Sequence, residues 1–240
     1  MTADIRFDYA REVRTGLPEA VFCPGKTAEQ LIALLGESER RQHRLLLTRL
    51  TPELRVQLPY PLDYDTLSRT AWFGAYPAVE EPARVAIVAA GTSDLPVARE
   101  AARTLRFFGL ASDEFADVGV AGLWRLMERI ETLRLYPMLI AVAGMEGALF
   151  SVLAGLVASL VIAVPTSTGY GVARDGETAL FAALCGCGQG LLTVNIDNGF
   201  GAACAVRRIV LNALALSGSR ADTHRSHCDN ALAQGDASRL

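Results

Sequence analysis

The sequence predicts an α/β protein with a doubly wound parallel sheet, preceded by a small N-terminal module. Short apolar β runs alternate with helical stretches over residues 84–216, whereas residues 1–57 follow a different pattern. The 240 residues are 51% hydrophobic, which suffices to bury a sizeable core. We therefore predict a module with its connector at 1–82, an α/β core at 83–217 and a mobile tail at 218–240.

The predicted N-terminal module opens with a polar helix and a Gly/Pro turn, followed by a second helix. Thr27 opens this second helix and, with Gln30, matches the capping-box pattern. A strand within 40–50 and a helical turn within 51–58 come next. The stretch 59–82 is rich in Pro and aromatic residues, so we predict that it is a connector to the core.

Five β runs, each followed by a helical stretch, make up the predicted core. Strands this short, separated by helices, form βαβ units whose parallel sheet is covered on both faces. In chain order the predicted strands are RVAIVAA, ADVGVAG, MLIAVAG, VIAVP and, with its turn, LLTVNIDNG, at 84–90, 116–122, 138–144, 161–165 and 191–199. The predicted helices are 95–109, 123–133, 145–160, 178–186 and 201–216.

The segment 144–171 is apolar for most of its length, which raises the alternative of a membrane span. A span needs about 20 continuous apolar residues. Gly144 and Pro165 instead divide this region into strand, helix and strand. We therefore favour a buried βαβ unit, and solubility without detergent distinguishes the two interpretations.

Charge and cysteine content predict a cytoplasmic protein without a nucleic-acid or membrane partner. The net charge of −3 arises from dispersed acidic and basic residues, which give neither a basic face nor a polybasic stretch. The N-terminal MTADIRFDYAREVR is too charged for a secretory signal. The five cysteines contain no C-x-x-C pair, so we expect reduced thiols.

Polar and Gly-rich residues follow several predicted strands, and ligands of open α/β sheets bind beyond the carboxyl ends of the strands. The sequence GTSD also opens a helix, where backbone N–H groups and the helix dipole favour phosphate. The candidate binding residues at the strand ends are Gly91, Thr92, Ser93, Asp94, Thr166, Ser167, Thr168, Gly169, Asn195, Asp197 and Asn198.

A carboxylate and a thiol are the candidate reactive groups. Glu146 is predicted to begin a helix at a strand end, where the dipole stabilises its anion; a helix-capping role explains it equally well. Cys187 lies between two glycines just before a strand, so a flat ring could approach its sulfur. A buried inert thiol is the favoured alternative on the residues alone. None of the three histidines lies in the predicted core, which argues against Ser-His-Asp catalysis.

A set of segments in the same order resembles the LarB family of nickel-pincer nucleotide cofactor biosynthesis. The resemblance covers residues from about 5 to about 212 and depends on their combination, because GTSD alone is not specific. The segments are DYAREVRTGLPEAVFCPGKTAEQL, AAGTSDLPVAREAA, DVGVAGLWRL, VAGMEGAL, VIAVPTSTGYG and VNIDNGFGAA.

The resemblance implies a fold, an activity and an assembly. Family members join an N-terminal module to a PurE-like core with a flavodoxin-like sheet, and PurE-like cores commonly form octamers that share active sites between subunits. The family carboxylates the pyridinium ring of nicotinic acid adenine dinucleotide with CO2 as co-substrate and hydrolyses the phosphoanhydride. The products are AMP and pyridinium-3,5-biscarboxylic acid mononucleotide. No tightly bound organic cofactor is implied.

The resemblance also implies roles for single residues. Cys187 would be the nucleophile and Glu146 the proton-transfer residue. The GTSD loop would contact phosphate, while Asp94 would either coordinate Mg²⁺ on the diphosphate or cap its own helix. Arg125 is retained from the family pattern as a binding residue. Arg11, Arg14 and Lys26 are candidates for holding the AMP half, with solvated surface charge as the alternative for each.

This chain departs from the family pattern at Trp124, where relatives usually have His, and at Phe150, where they commonly have Pro. An indole can only donate a hydrogen bond, whereas an imidazole also titrates. A paralogue acting on NAD or on a pyridinium mononucleotide is therefore an alternative. A PurE-type aminoimidazole ribonucleotide carboxylase or mutase and a non-catalytic nucleotide-binding protein are two further ones.

Overall fold

The computed structural model describes residues 5–233, with only the backbone described for Glu80 and for 217–233. An N-terminal module precedes an α/β core, as the sequence predicts. The elements of the module are α1 (Arg11–Thr15), β1 (Val21–Phe22), α2 (Ala28–Arg40), β2 (Leu45–Thr48), α3 (Pro52–Arg55), β3 (Asp63–Asp65) and β4 (Thr70–Phe73).

The module is built on a four-stranded sheet with the order β1-β2-β4-β3. The predicted capping box is confirmed, because the Thr27 side chain accepts from the N–H of Gln30 and the Gln30 side chain accepts from the N–H of Thr27. The prediction of a connector over 59–82 is wrong in part, since β3 and β4 form a hairpin there. Asp65 closes its turn by accepting from the N–H and hydroxyl of Ser68, a local geometry that composition does not reveal.

Both faces of the two central strands of the module sheet, β2 and β4, are buried. Leu45 and Leu47 on β2 pack with Leu31 and Leu35 of α2 in the core of the module. Leu46 points the other way and joins the core of the α/β domain. The alternation along a strand thus explains why the first three residues of β2, Leu45 to Leu47, are all apolar.

The α/β core contains a parallel sheet with the order β6-β5-β7-β8-β9. Helices lie on both of its faces, so the doubly wound prediction is confirmed. The elements are β5 (Glu80–Ala89), α4 (Leu95–Phe107), β6 (Leu110–Phe115), α5 (Leu123–Met127), α6 (Ile130–Leu133), β7 (Met138–Ala143), α7 (Ala148–Leu156), β8 (Leu160–Pro165), α8 (Glu177–Cys185), β9 (Leu192–Thr193) and α9 (Gly199–Ala233).

Two apolar clusters attach the helices to the sheet. Helices α4 and α9 cover one face, with Leu105 and Val206 among the buried contacts. Helices α5 to α8 cover the other face, where Phe150 is fully buried. The Phe at a position where the LarB family commonly has Pro is therefore a core residue in this chain.

The second predicted strand lies in the wrong place. Residues 116–122 form a loop that ends in a 3₁₀ turn, and the strand is β6, just before it. The sequence LASDEF of β6 lacks a continuous apolar run because it is an edge strand that pairs only with β5. The single helix predicted over 123–133 is divided into α5 and α6.

The apolar segment 144–171 folds as part of a βαβ unit, with the nine-residue α7 between β7 and β8. By length and composition, one stretch in the described part of the chain would suffice for a membrane span, Gly199–Leu216 of α9, and core helices of soluble proteins pass the same test. That stretch begins a helix whose first part packs on α4. The predicted tail is helical to Ala233, 234–240 lie outside the described residues, and its mobility stays a prediction.

Candidate active site

The loops after the five parallel strands meet at one edge of the sheet, which we call the strand-end edge. The strand order places the loops that follow β5 and β7 side by side, at the point where the chain changes direction across the sheet. Crevices at this switch point are the usual ligand sites of open α/β sheets. The loops at this edge are 90–94, 116–122, 144–147, 166–170 and 194–198.

A buried carboxylate, that of Asp94, fixes the GTSD loop by hydrogen bonds. Asp94 is 3% exposed, and its oxygens accept from the N–H of Gly91 at 2.9 Å and from the hydroxyl of Thr166 at 2.6 Å. Its bond to the N–H of Gly91 caps the 3₁₀ turn Thr92–Asp94 that leads into α4, so the predicted capping role is found at this turn, and its side chain makes no cap bond to α4 itself. Thr92 and Ser93 are exposed and leave their hydroxyls available to a ligand.

The loop after β8 connects the other loops of the edge. The carbonyl of Thr168 accepts from the N–H of Met145 at 2.8 Å, and its hydroxyl donates to the carbonyl of Ser93 at 3.4 Å. Gly144 is required at this crossing, because a Cβ there would collide with the carbonyl of Thr168. Thr166 is buried, so of the predicted residues in this loop, Ser167, Thr168 and Gly169 remain at the surface.

The loop after β9 completes the row. The N–H of Ser167 donates to the Asp197 carboxylate at 2.8 Å, and Asp197 has a left-handed backbone with φ of 54°. Asn198 accepts from the N–H of Gly201 at 2.8 Å and so caps the start of α9. Asn195 is exposed and accepts from the N–H of Ile196. The structure therefore brings the predicted strand-end residues together at one edge.

Glu146 and Cys187 both lie next to α7. Glu146 is exposed in the turn between β7 and α7, one residue before the N-cap Gly147. The prediction that Glu146 begins the helix is therefore wrong by two residues, because α7 begins at Ala148. Gly186 lies against Ser151 of α7, where an added Cβ would be 2.7 Å from its hydroxyl. Gly188 lies against Ala154, one turn further along. Cys187 between them is exposed, so the alternative of a buried inert thiol is wrong.

The exposed thiol contrasts with two internal ones. Burial raises the pKa of Cys23 to about 12 and that of Cys204 to about 12. Neither is therefore a thiolate at neutral pH. Cys185, at the end of α8, is exposed like Cys187 and provides a matched thiol in the same loop region.

The predicted cationic residues are less tightly grouped. Arg125 of α5 forms an ion pair with Asp117 in the loop after β6, at the strand-end edge. Trp124 beside it is 63% exposed. Arg14 pairs with Asp8 within the module, and Lys26 lines a module cavity with Phe22 and Gln30. A role of Arg14 and Lys26 in substrate binding stays a prediction.

The carboxylates of the edge do not form a magnesium site by themselves. Both oxygens of Asp94 accept internal hydrogen bonds. Among the residues that the structure describes, no three His, Cys, Asp or Glu side chains are grouped in a way that could hold a metal ion.

Two residues with structural roles at the edge escaped the sequence analysis. Arg49 of the module donates to the main-chain carbonyl of Asp197 at 2.6 Å, across 148 residues of chain. Glu100 of α4 is buried and accepts from the N–H of Phe200 at the start of α9. Glu100 lies in the segment AAGTSDLPVAREAA and Arg49 lies in none of the quoted segments, but only the tertiary contacts reveal what either residue does.

Comparisons with known proteins relate the chain to two family models, one relative and one solved structure. A family model described as "LarB/PurE-like N-terminal domain" matches residues 2–74, and one described as "AIR carboxylase" matches residues 84–227. An uncharacterized protein of Methanocaldococcus jannaschii is 37% identical over 209 residues, which cover 82% of this chain and 80% of that protein. A crystal structure of a PurE2 variant from Treponema denticola aligns with a TM-score of 0.44 at 18% identity, covering 63% of this chain and 97% of that one.

The two family models match the two structural parts in order. The first spans the module as far as β4, and the second begins within β5 and covers the sheet with its strand-end edge. The match to the second model alone covers more than half of the chain. Together with the module and the doubly wound sheet, these matches show that the chain belongs to the LarB family and carries a PurE-like carboxylase core.

Proposed function

We propose that the chain carboxylates the pyridinium ring of nicotinic acid adenine dinucleotide with CO2 and hydrolyses the phosphoanhydride. The products are pyridinium-3,5-biscarboxylic acid mononucleotide and AMP. The observation that carries the proposal is the exposed Cys187 on a loop packed along α7, the helix that follows the turn bearing Glu146. Glu146 lies just before α7 at the strand-end edge, and Cys187 lies beside the later turns of α7 in the loop before β9, so α7 is the element that connects the two groups.

The chemistry explains why a thiol is needed. A pyridinium ring is electron-poor and does not attack CO2, which is itself an electrophile. Addition of the Cys187 thiolate to a ring carbon forms a C–S bond and converts the cation into a neutral dihydropyridine with a nucleophilic enamine carbon. That carbon forms the new C–C bond to CO2.

Rearomatisation returns the enzyme to its starting state. Glu146 takes the proton from the carboxylated ring carbon, and the electron pair of that C–H bond restores the aromatic ring as the C–S bond breaks. The thiolate leaves with its electrons, so no oxidant or reductant is required. Water adds to the phosphoanhydride in the separate hydrolysis.

The GTSD loop suits the phosphates of the substrate. Thr92 and Ser93 present exposed hydroxyls ahead of α4, whose dipole favours negative charge. Pro96 in the first turn removes one N–H donor, which makes the two hydroxyls more important. Mg²⁺ would act as a counter-ion of the diphosphate.

The single chain leaves Cys187 and Glu146 open to solvent. Neutral enamine chemistry is favoured where water is excluded. We therefore include in the proposal a homo-oligomer, an octamer by resemblance, in which a neighbouring subunit covers the strand-end edge. The proposed setting is the cytoplasm.

The test compares two thiols of one loop region. Wild type, Cys187→Ala and Cys185→Ala are each incubated with nicotinic acid adenine dinucleotide, Mg²⁺ and labelled bicarbonate, and products are identified by mass spectrometry. We expect label incorporation by wild type and Cys185→Ala and none by Cys187→Ala. Incorporation by Cys187→Ala at the wild-type level would refute covalent catalysis. Parallel reactions with NAD and with nicotinic acid mononucleotide identify the ring nucleotide used.

A further inference from the structure

A second cavity lies between the module, α4 and the edge strand β6 of the core. Its volume is about 450 Å³, within the range of small-molecule sites. None of the residues that line it belongs to the strand-end edge. The residues that carry the argument are Trp72 and Tyr76 of the module, Arg99, Arg103 and Arg106 of α4, and Glu114 of β6.

Three arginines project from one face of α4 into this cavity, because positions four and three residues apart lie above one another on a helix. Arg103 is fixed, since it donates to Asp63 at 3.0 Å and lies 4.3 Å above the ring of Trp72. Arg99 faces Glu114, with 3.2 Å between Nε and Oε2. The Arg106 side chain is exposed and forms no hydrogen bond or ion pair within the described part of the chain.

Two buried donors in the cavity wall have no acceptor from the protein. These are Nε1 of Trp72 and Nε of Arg99, whose ion pair with Glu114 is not aligned as a hydrogen bond. Within the described residues, they are the two buried side-chain nitrogen or oxygen atoms left without a partner, and both line this one cavity. Both nitrogens are closed to solvent, so the donor that the cavity offers to a ligand is the exposed guanidinium of Arg106.

The acids of the wall do not reverse this conclusion. Asp63 accepts from Arg103 and from the hydroxyl of Tyr76, so its charge is already compensated. Glu114 lies against Arg99, and burial raises its pKa. Glu81 is exposed at the rim, where solvent screens its charge. The cavity therefore has hydrogen-bond donors without partners, whereas its acceptors are already paired or screened by solvent.

We propose that this cavity binds a small phosphate monoester that carries a flat ring, a ligand of the mononucleotide class. Guanidinium groups match the oxygens of a phosphate, and Arg106 and Arg99 lie on the same helix face to receive them. The exposed ring of Tyr76, 5.1 Å from that of Trp72, offers a surface for stacking. This site is separate from the strand-end edge and does not depend on the proposed reaction.

The test uses Trp72 as a reporter in the full-length chain. The two tryptophans are Trp72 and Trp124, so Trp124→Phe leaves the cavity as the sole source of tryptophan fluorescence. This variant is titrated with AMP and with adenosine at constant ionic strength. The same titrations are repeated with Arg106→Gln and with Arg129→Gln, a matched exposed arginine on the other face of the core.

We expect AMP, but not adenosine, to change the Trp72 emission in a saturable manner. Arg106→Gln should weaken AMP binding at least about tenfold, whereas Arg129→Gln should leave it unchanged. No saturable change with millimolar AMP overturns the proposal. Equal responses to adenosine and AMP, or equal weakening by the two arginine substitutions, also overturn it, because either result removes specific phosphate recognition by Arg106.

Discussion

Single residues of this protein acquire their chemistry from burial. Cys23 and Cys204 lie inside the molecule, and burial raises the pKa of each to about 12. Cys185 and Cys187 are exposed. Since the thiolate is the reactive form of cysteine, the buried pair Cys23 and Cys204 should react more slowly than the exposed pair Cys185 and Cys187.

Alkylation provides a direct measurement of this difference. At about pH 8, a thiol with a pKa of about 12 is a thiolate for roughly one part in ten thousand. We expect iodoacetamide to modify Cys185 and Cys187 within minutes and to leave Cys23 and Cys204 unmodified until urea is added. Peptide mass spectrometry at successive times gives the order. Modification of Cys23 as fast as Cys187 in the folded protein would contradict the burial argument.

The buried hydrogen bond between Thr166 and Asp94 should contribute to the stability of the folded protein and not to contact with substrate, because both side chains are buried. Thr166→Val keeps the shape and leaves one oxygen of a buried carboxylate without its donor at 2.6 Å. Hydrogen bonds to charged groups contribute about 1.5–3 kcal/mol, so we expect the free energy of unfolding to fall by that amount. Urea titrations measure it.

Thr168→Val is the matched control. Its hydroxyl makes a long bond of 3.4 Å at the surface, so the expected loss is below about 0.5 kcal/mol. An equal loss in the two variants would show that the buried bond has no special weight.

At the scale of elements, the sequence predicted the central strands well and the edge strand poorly. Strands β5, β7 and β8 are buried on both faces, so they read as continuous apolar runs. Strand β6 lies at the edge of the sheet and contains polar residues, so it does not look like a buried strand in the sequence. The strand was therefore predicted in the more apolar loop that follows it. The hairpin of β3 and β4 was missed because its turn rests on contacts of Asp65 and Ser68 that composition does not show.

The candidate site followed the same rule. The motif after each central strand could be placed at the strand-end edge because the carboxyl ends of parallel strands share one edge. What each side chain does there depends on tertiary contacts. Thus Thr166 is buried and donates to Asp94, which links the GTSD loop to the loop after β8. Arg49 of the module donates to the main-chain carbonyl of Asp197.

Glu100 joins two elements and should make the stability of their contact depend on pH. It is buried on α4 and accepts from the N–H of Phe200 on α9, and burial raises its pKa above the ordinary value of 4.5. The folded state therefore holds the proton more tightly than the unfolded state. The contribution of this group to stability is greatest below the unfolded pKa and is lost as pH rises through the folded one.

Glu100→Gln should remove this dependence while keeping an acceptor for Phe200. We expect the difference in unfolding free energy, variant minus wild type, to increase from about pH 4.5 upwards and then to level off. Urea unfolding at about pH 4.5, 6 and 7.5 measures it. A difference that stays constant or decreases with pH would contradict a raised pKa of Glu100.

At the scale of the whole molecule, the module and the core form one packed unit. Leu46 and Trp72 of the module belong to the same apolar cluster as α4 and α9. Arg44 donates to the carbonyl of Phe107 at 2.8 Å, and Arg49 reaches the loop after β9. The module therefore holds one loop of the strand-end edge in place through Arg49, while other residues of that edge, such as Thr92 and Ser93, stay exposed.

Large apolar residues are exposed on α8 and in the loop before it. On α8, Phe181 is 57% exposed and Leu184 is 65% exposed, one turn apart. Tyr170 and Val172 in the preceding loop are also largely exposed. Contiguous exposed apolar residues of this kind mark interaction surfaces. In the proposed oligomer we expect this patch to be covered by a neighbouring subunit, which would also shield Cys187.

Phe181→Glu tests this assignment, because a charge in a buried apolar contact prevents the contact from forming. We expect light scattering to show a smaller particle and carboxylation to fall by at least about tenfold, while circular dichroism stays unchanged. The control is Val56→Glu, which places the same charge at an 80% exposed position of the module and should alter neither property. An assembled, fully active Phe181→Glu protein would place the subunit contact elsewhere. Since the substitution leaves Cys187 and Glu146 intact, a joint loss of assembly and activity would mean that the strand-end edge works only when a second copy closes it.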